Sequence, residues 1–218
     1  MENTPSFLGY FYAQQSDWPN ALEQYHKAIE INPHFFWNYY NLALVCHRTG
    51  RYRESNEFAQ MALQKKPDIA MLVVNKSPEF RQVWRYIGDM ETVAMRNLKA
   101  GFEDSFILMA ANYYHMKSYD QALGLISTAA PSNHRRELDR LLYAGLSAYG
   151  LGRYEMSVMF LQELVKQDPR YAAGWRAMAL SLEALGKNDI ARQAYLKAGS
   201  ESEENPQEPV LEIPLRLF

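Results

Sequence analysis

The residues best equipped for chemistry are five histidines (His26, His34, His47, His115 and His134), one cysteine (Cys46), and a short basic run. Histidines and cysteines at fixed close spacing would hold zinc, and an activated thiol could serve as a nucleophile. Neither pattern occurs: no histidine stands at zinc-finger spacing from a cysteine, and no HExxH, glycine-rich phosphate loop or GxSxG elbow is present. The expectation is therefore a chain with no catalytic residue, no metal and no cofactor, whose histidines are surface or packing residues and whose thiol is buried and inert. The basic run, His134-Arg135-Arg136 with Arg140 and Lys117, is interleaved with Glu137 and Asp139. That points first to a self-compensated solvated face, and second to a site for a phosphate or an acidic segment such as Glu201-Glu203-Glu204 of this same chain.

The elements that carry these residues follow from composition and repetition. Of 218 residues, 48% are hydrophobic and 22% charged, enough apolar surface to offset the entropy of ordering the chain. With 23 basic against 25 acidic residues the chain has no positive field to gather nucleic acid, so nucleic acid is not an expected partner. One cysteine allows no internal disulfide. No stretch approaches the roughly 18 to 20 apolar residues of an integral membrane segment. A cytoplasmic location is expected, with a trimmed targeting segment left open.

Pro33, Pro67 and Pro169 are separated by one and then three intervals of 34 residues. Before them runs a shared order of small and large residues. Leu8-Gly9, Tyr12, Ala21, Tyr25 and Ala28 are followed by Leu42-Ala43, Cys46, Ser55, Ala59 and Ala62. Three more copies read Met109-Ala110, Tyr113, Ala122, Ile126, Ala129; Ala144-Gly145, Ala148, Ser157, Leu161; and Trp175, Met178-Ala179, Leu182, Ala191, Tyr195, Ala198. A small residue lets two helices approach, bulky ones fill the space between, and Gly50, Gly152 and Gly186 end the first helix of their copies in a left-handed cap. The pattern resembles the tetratricopeptide repeat, two antiparallel helices per 34 residues. The resemblance implies an all-α, right-handed superhelical solenoid of five recognisable repeats plus one degenerate one. It also implies a non-enzymatic protein-binding role.

The organisation read from this pattern is an N-terminal repeat pair over 2–69, a segment 70–102, a C-terminal trio over 103–199, and a tail over 200–218. Segment 70–102 is either a degenerate repeat or a joint, because Pro78 falls where helix A should be central; a shortened helix near Ile69 to Val74, a turn at Asn75 to Pro78 and a helix from Glu79 towards Ala100 fit best. The tail is an acidic linker ending in an apolar strip in which Pro214 forbids a regular helix.

By repeat position, the resemblance puts Tyr10, Trp37, Tyr40, Asn41, Leu44, His47, Tyr114, Leu142, Leu146, Tyr149, Tyr171 and Arg176 on or near a concave groove. This lining is aromatic and mostly neutral, suited to a peptide with apolar anchors, although about half of such aromatics are expected to pack between helices instead. A carboxylate clamp of the kind that holds chaperone C-termini is not expected. Asn41 matches its second-helix asparagine, but Ser6, Tyr10, Met71 and Asn75 stand where its other polar residues belong. The function expected is a scaffold or adaptor for a protein or peptide. One alternative is self-assembly into a homo-oligomer through Val210, Leu211, Ile213, Leu215, Leu217 and Phe218, a plan similar to that of magnetosome-associated tetratricopeptide proteins. The other is a bacterial secretion or pilus-assembly chaperone.

Overall fold

The computed structural model describes residues 4–65, 99–128, 134–199, 211 and 213–216. The expectations for residues 69–98, for the linker 200–208 and for Val210, Leu217 and Phe218 lie outside the described residues. Among those described are ten helical stretches. They are α1 (Thr4–Gln14), α2 (Trp18–Ile31), α3 (Phe36–Arg48), α4 (Tyr52–Gln64), α5 (99–115), α6 (Tyr119–Thr128), α7 (His134–Gly150), α8 (Tyr154–Gln167), α9 (Ala172–Ala184) and α10 (Asn188–Ala198). The fold is all-helical, and successive helices pair as in a tetratricopeptide solenoid.

Each pair is closed by the same turn. Backbone N–H groups of Asp17, Arg51, Ser118, Arg153 and Lys187 donate to the carbonyls of Tyr12, Cys46, Tyr113, Ala148 and Leu182, five residues earlier, at 2.8–2.9 Å. This six-to-one bond needs a left-handed residue just before the donor. Gly50, Gly152 and Gly186 supply it at φ of 74°, 71° and 72°, as their spacing predicted. In the other two turns Ser16 and Lys117 take the same conformation at φ of 60° and 58°, which carries a steric cost for a residue with a Cβ.

Inside each pair, the small residue of the first helix is matched by a small residue twelve positions later on the second. Gly9/Ala21, Ala43/Ser55, Ala110/Ala122, Gly145/Ser157 and Ala179/Ala191 are all buried. Where the second member is serine its hydroxyl cannot be left unpaired in the interior. Ser55 Oγ donates to the Ala43 carbonyl and Ser157 Oγ to the Gly145 carbonyl, both at 2.7 Å. In the two pairs whose first member is glycine, a larger side chain four positions further on fills the gap. A Cβ on Gly145 would lie 2.5 Å from Leu161 Cγ, and one on Gly9 would lie 3.0 Å from the Tyr25 ring.

The described residues fall into two compact units, those up to Ser105 with Ile213–Arg216, and those from Phe106 to Gly199 with Leu211. In the first, Ala13, Ala21, Tyr25, Leu42, Val45 and Cys46 form a core. In the second, Leu138, Leu142, Leu161, Leu164, Ala179, Leu182 and Tyr195 are among the residues of a larger one. The inter-repeat corners also recur: the Tyr39 hydroxyl donates to the Pro33 carbonyl at 3.0 Å, and Trp175 Nε1 to the Pro169 carbonyl at 2.8 Å, each six residues back.

Candidate functional site

Helix α3 is buried along almost its whole length, from Phe36 to Cys46, although it carries Asn38 and Asn41. A helix so enclosed must find partners for its polar side chains. Ser6 Oγ of α1 donates to Asn38 Oδ1 at 2.7 Å. Asn41 finds its partner in the C-terminal strip of the chain: its Nδ2 donates to the Arg216 carbonyl at 2.5 Å, and its Oδ1 accepts from the Arg216 backbone N–H at 3.0 Å. One side-chain amide thus satisfies both polar groups of one extended residue, as a neighbouring β-strand would.

Two more carbonyls of the same segment are bound. The Tyr40 hydroxyl lies 3.0 Å from the Pro214 carbonyl and 2.9 Å from Asp104 Oδ2. A phenol has one proton, so the charged acceptor draws it more strongly and the Pro214 bond is the weaker of the two. Arg48 Nη2 donates to the Ile213 carbonyl at 3.2 Å, and its guanidinium stands over the Trp18 ring at 5.9 Å. The Ile213 side chain is buried, and Leu215 packs against the first-unit core beside Tyr10 and Tyr12.

The far wall is the start of α5. A Cβ at Gly101 would lie 2.8 Å from Trp37, so the absence of a side chain there lets the helix close on α3. Phe102 sits 5.2 Å from Phe36, ring to ring, and Asp104, nearly fully buried, meets Tyr40 and the Arg216 guanidinium, whose Nη2 is 3.3 Å away. Burial, then the Asp104 carboxylate, hold the Tyr40 phenol well above its ordinary range. Tyr25, below Asn41, is raised by burial in the same sense; its hydroxyl lies beside the amide without hydrogen-bond geometry. Cys46 is fully buried, and burial pushes its thiol up to about 12 despite the opposing charge of Arg51, the opposite of an activated nucleophile.

Of the residues expected on the groove, Tyr40 and Asn41 touch the strip directly, Tyr10 shares the cluster that receives Leu215, and Trp37 builds the wall. Leu44 is buried on the same helix, and His47 packs its ring against Tyr52. In the second unit Tyr114 joins a ring cluster with His115, Tyr119 and Tyr143, and Tyr149 packs on Tyr154. Leu142 belongs to the core, and Leu146 and Tyr171, both half-buried, pack against it; Arg176 is half-buried. Leu211, in the second unit, is buried. The basic run is compensated as its interleaving suggested: Arg136 pairs with Asp139 at 2.7 Å, Arg140 with Glu137 at 2.6 Å, and Arg135 lies over Tyr171.

Sequence reading missed Arg48, Asp104, Pro214 and Arg216. The available signal was the place of Asp104, one turn before Leu108 and close to the apolar run Phe106-Ile107-Leu108, because a buried acid requires a partner. Among the described residues, no group of three His, Cys, Asp or Glu could hold a metal, and no helix is long and apolar enough to cross a membrane.

Comparisons with known proteins agree with the fold. The family model of the TPR repeat matches residues 9–50. A TPR repeat-containing protein of Methanocaldococcus jannaschii is 25% identical over 190 residues, which is 83% of this chain and 28% of that protein. The chain therefore spans little more than a quarter of that relative. Among solved structures, MamA from Desulfovibrio magneticus RS-1, from residue 41 to its end, matches with a TM-score of 0.68 at 12% identity, over 94% of this chain and 97% of that one. YrrB, described as a TPR protein with an unusual peptide-binding site, matches with a TM-score of 0.59 at 14% identity, over 87% of this chain and 80% of that one. At such identities the structures share the fold alone; that fold, the repeat register and the family match over residues 9–50 together identify tetratricopeptide-type repeats in this chain.

Proposed function

We propose that this protein is an interaction scaffold whose first-unit groove binds an extended peptide through its backbone. The observation that carries this reading is the two-bond pairing of the Asn41 amide with the N–H and C=O of Arg216. Backbone pairing supplies affinity without demanding one sequence, and buried aromatic walls supply contact area at little entropic cost. The peptide-binding site named for YrrB is a property of that protein, and it makes the same use of this fold a natural one here.

The test uses the full chain with its own tail disabled by Leu215→Asp and Arg216→Glu, and a fluorescein-labelled peptide of residues 208–218. Anisotropy should rise on binding, and Asn41→Ala in the protein should weaken it at least tenfold. Equal binding with and without Asn41 would sink this reading.

A second reading rests on the same contacts. The segment Ile213–Arg216 could seat in the groove of a neighbouring copy and join copies head to tail. Light scattering of the native chain over a concentration series, against the Leu215→Asp/Arg216→Glu variant, separates the two. A mass that grows with concentration only in the native chain supports assembly, and a constant monomer in both removes it.

A further inference from the structure

We infer that the groove is selective for a segment of the order aliphatic, proline, aliphatic, cation, and that the chain's own Ile213–Arg216 is a resident ligand of this class which a partner segment of the same order must displace. This rests on the peptide-binding reading above and adds the chemistry of the partner.

Register comes first. Because Asn41 uses its donor and its acceptor on one residue, the residue paired with it is fixed, and so is every residue before it. The carbonyls of 213 and 216 are bound by Arg48 and Asn41, and that of 214 shares the Tyr40 proton with Asp104, so a slip by one residue would disturb all three contacts at once.

With the register set, each position meets different chemistry. The residue paired with Asn41 reaches Asp104, a carboxylate only 1% exposed. A cation there compensates a buried charge, whereas an acid would add a second negative charge beside it. Contact is made through a single guanidinium nitrogen, Nη2, and the buried Nε has no hydrogen-bond partner. Charge is read here rather than the two-pronged guanidinium geometry, and lysine should serve nearly as well.

One residue earlier, the half-buried Leu215 packs against the cluster built from Ala13, Ala21, Tyr25, Leu42, Val45 and Cys46. An apolar side chain suits that surface, and a charged one would lose solvation against it without gaining a partner. Two residues earlier, Pro214 presents its carbonyl to Tyr40. Proline has no N–H to desolvate, and its fixed φ holds the segment extended before binding, which lowers the entropy lost. Three residues earlier, Ile213 is 1% exposed, so this place too demands an apolar side chain. The alternation of Ile213 and Leu215 is the two-residue period of an extended strand.

A resident segment of the same chain competes at an effective concentration on the order of millimolar. A partner must therefore be bound through more than this site, or present the same order with better contacts, before it enters.

The experiment extends the anisotropy assay on the full chain carrying Leu215→Asp/Arg216→Glu. The parent 208–218 peptide should bind. Its Arg216→Lys form should bind within about threefold, and its Arg216→Glu and Leu215→Asp forms at least tenfold more weakly. Asp104→Asn in the protein, checked by circular dichroism, should shrink the gap between the parent and Arg216→Glu peptides to under threefold. The chain with its native tail should bind the parent peptide at least tenfold more weakly than the tail-substituted chain. An Arg216→Glu peptide that binds like the parent overturns the selectivity while the groove stands. Equal binding by native and tail-substituted chains overturns the resident ligand. A parent peptide that never binds overturns the peptide-binding reading itself. The peptide series needs no change to the groove, so the test survives if Asp104→Asn fails to fold.

Discussion

Two residues before the small residue of its first helix, the second repeat carries Asn41, where the three later copies carry Leu108, Tyr143 and Ala177. The first unit therefore offers a backbone-reading amide at a position where the second offers apolar side chains. Everything around that position is alike in the two: the six-to-one turns, the small-on-small pairs, and a serine bonded to the carbonyl twelve residues back. Even the buried serine of α8 is absorbed into structure, since Ser157 lies 2.8 Å from Ser181 of α9. The comparison teaches that the repeat sets where such a residue stands, and that a single amide at that place is what pairs with the backbone of Arg216.

The largest expected effect probes what the units share. Leu42→Ala in the first and Leu161→Ala in the second each remove a fully buried side chain, and each should cost about 2–5 kcal/mol in urea denaturation. Markedly unequal losses would break the claim of a common interior.

Alkali should act next, on the first unit. Cys46, Tyr25 and Tyr40 all have folded pKa values raised by burial. For each, the unfolded chain loses its proton first, so the stabilisation is complete below the ordinary value, 9.0 for the thiol and 10.0 for the phenols, and is lost as pH rises above it. The slope is at most about 1.4 kcal/mol per pH unit for each group. Subtilisin pulses between pH 8 and 11, read by mass spectrometry, should cut the first unit increasingly, and Cys46→Ala should flatten the rise. The same burial predicts that the native thiol ignores a thiol reagent until the chain unfolds.

Asn41→Ala should follow, releasing two hydrogen bonds worth about 1–3 kcal/mol together. Amide exchange at Arg216 should accelerate at least tenfold, with no change in α7 or α9. In the second unit, Gly145→Ala should cost about 1–3 kcal/mol because the new methyl collides with Leu161, less up to ~1 kcal/mol returned by alanine's helix propensity. The smallest effect has the opposite sign. Ser16→Gly and Lys117→Gly, one in each unit, relieve a left-handed residue and should each raise stability by about 1 kcal/mol or less. A loss at either site would show that the turn draws on the side chain as well as the backbone.

Much of the fold was legible because its rules are local. Gly50, Gly152 and Gly186 announced left-handed caps, and the paired small residues announced helices in close contact, since both depend on spacings of a dozen residues or fewer. Ser16 and Lys117 escaped because nothing in those side chains favours a positive φ; the turn imposes it once the flanking helices pair. Repeat position singled out Tyr40 and Asn41, which contact the strip Ile213–Arg216, and by the same rule Leu142, which is a residue of the second-unit core.

The chain order of small, large and turn residues determined that this protein would be a stack of tetratricopeptide helix pairs, because helix pairing is decided within one repeat. Only the tertiary structure decided what Asn41, Tyr40, Arg48 and Asp104 do. Asn41 meets Arg216 across 175 residues, Tyr40 meets Asp104 across 64, and Arg48 meets Ile213 across 165. Periodicity carries no information at those separations. They are settled by which buried polar groups the folded chain brings within hydrogen-bond reach, and by the cost of leaving any of them unpaired.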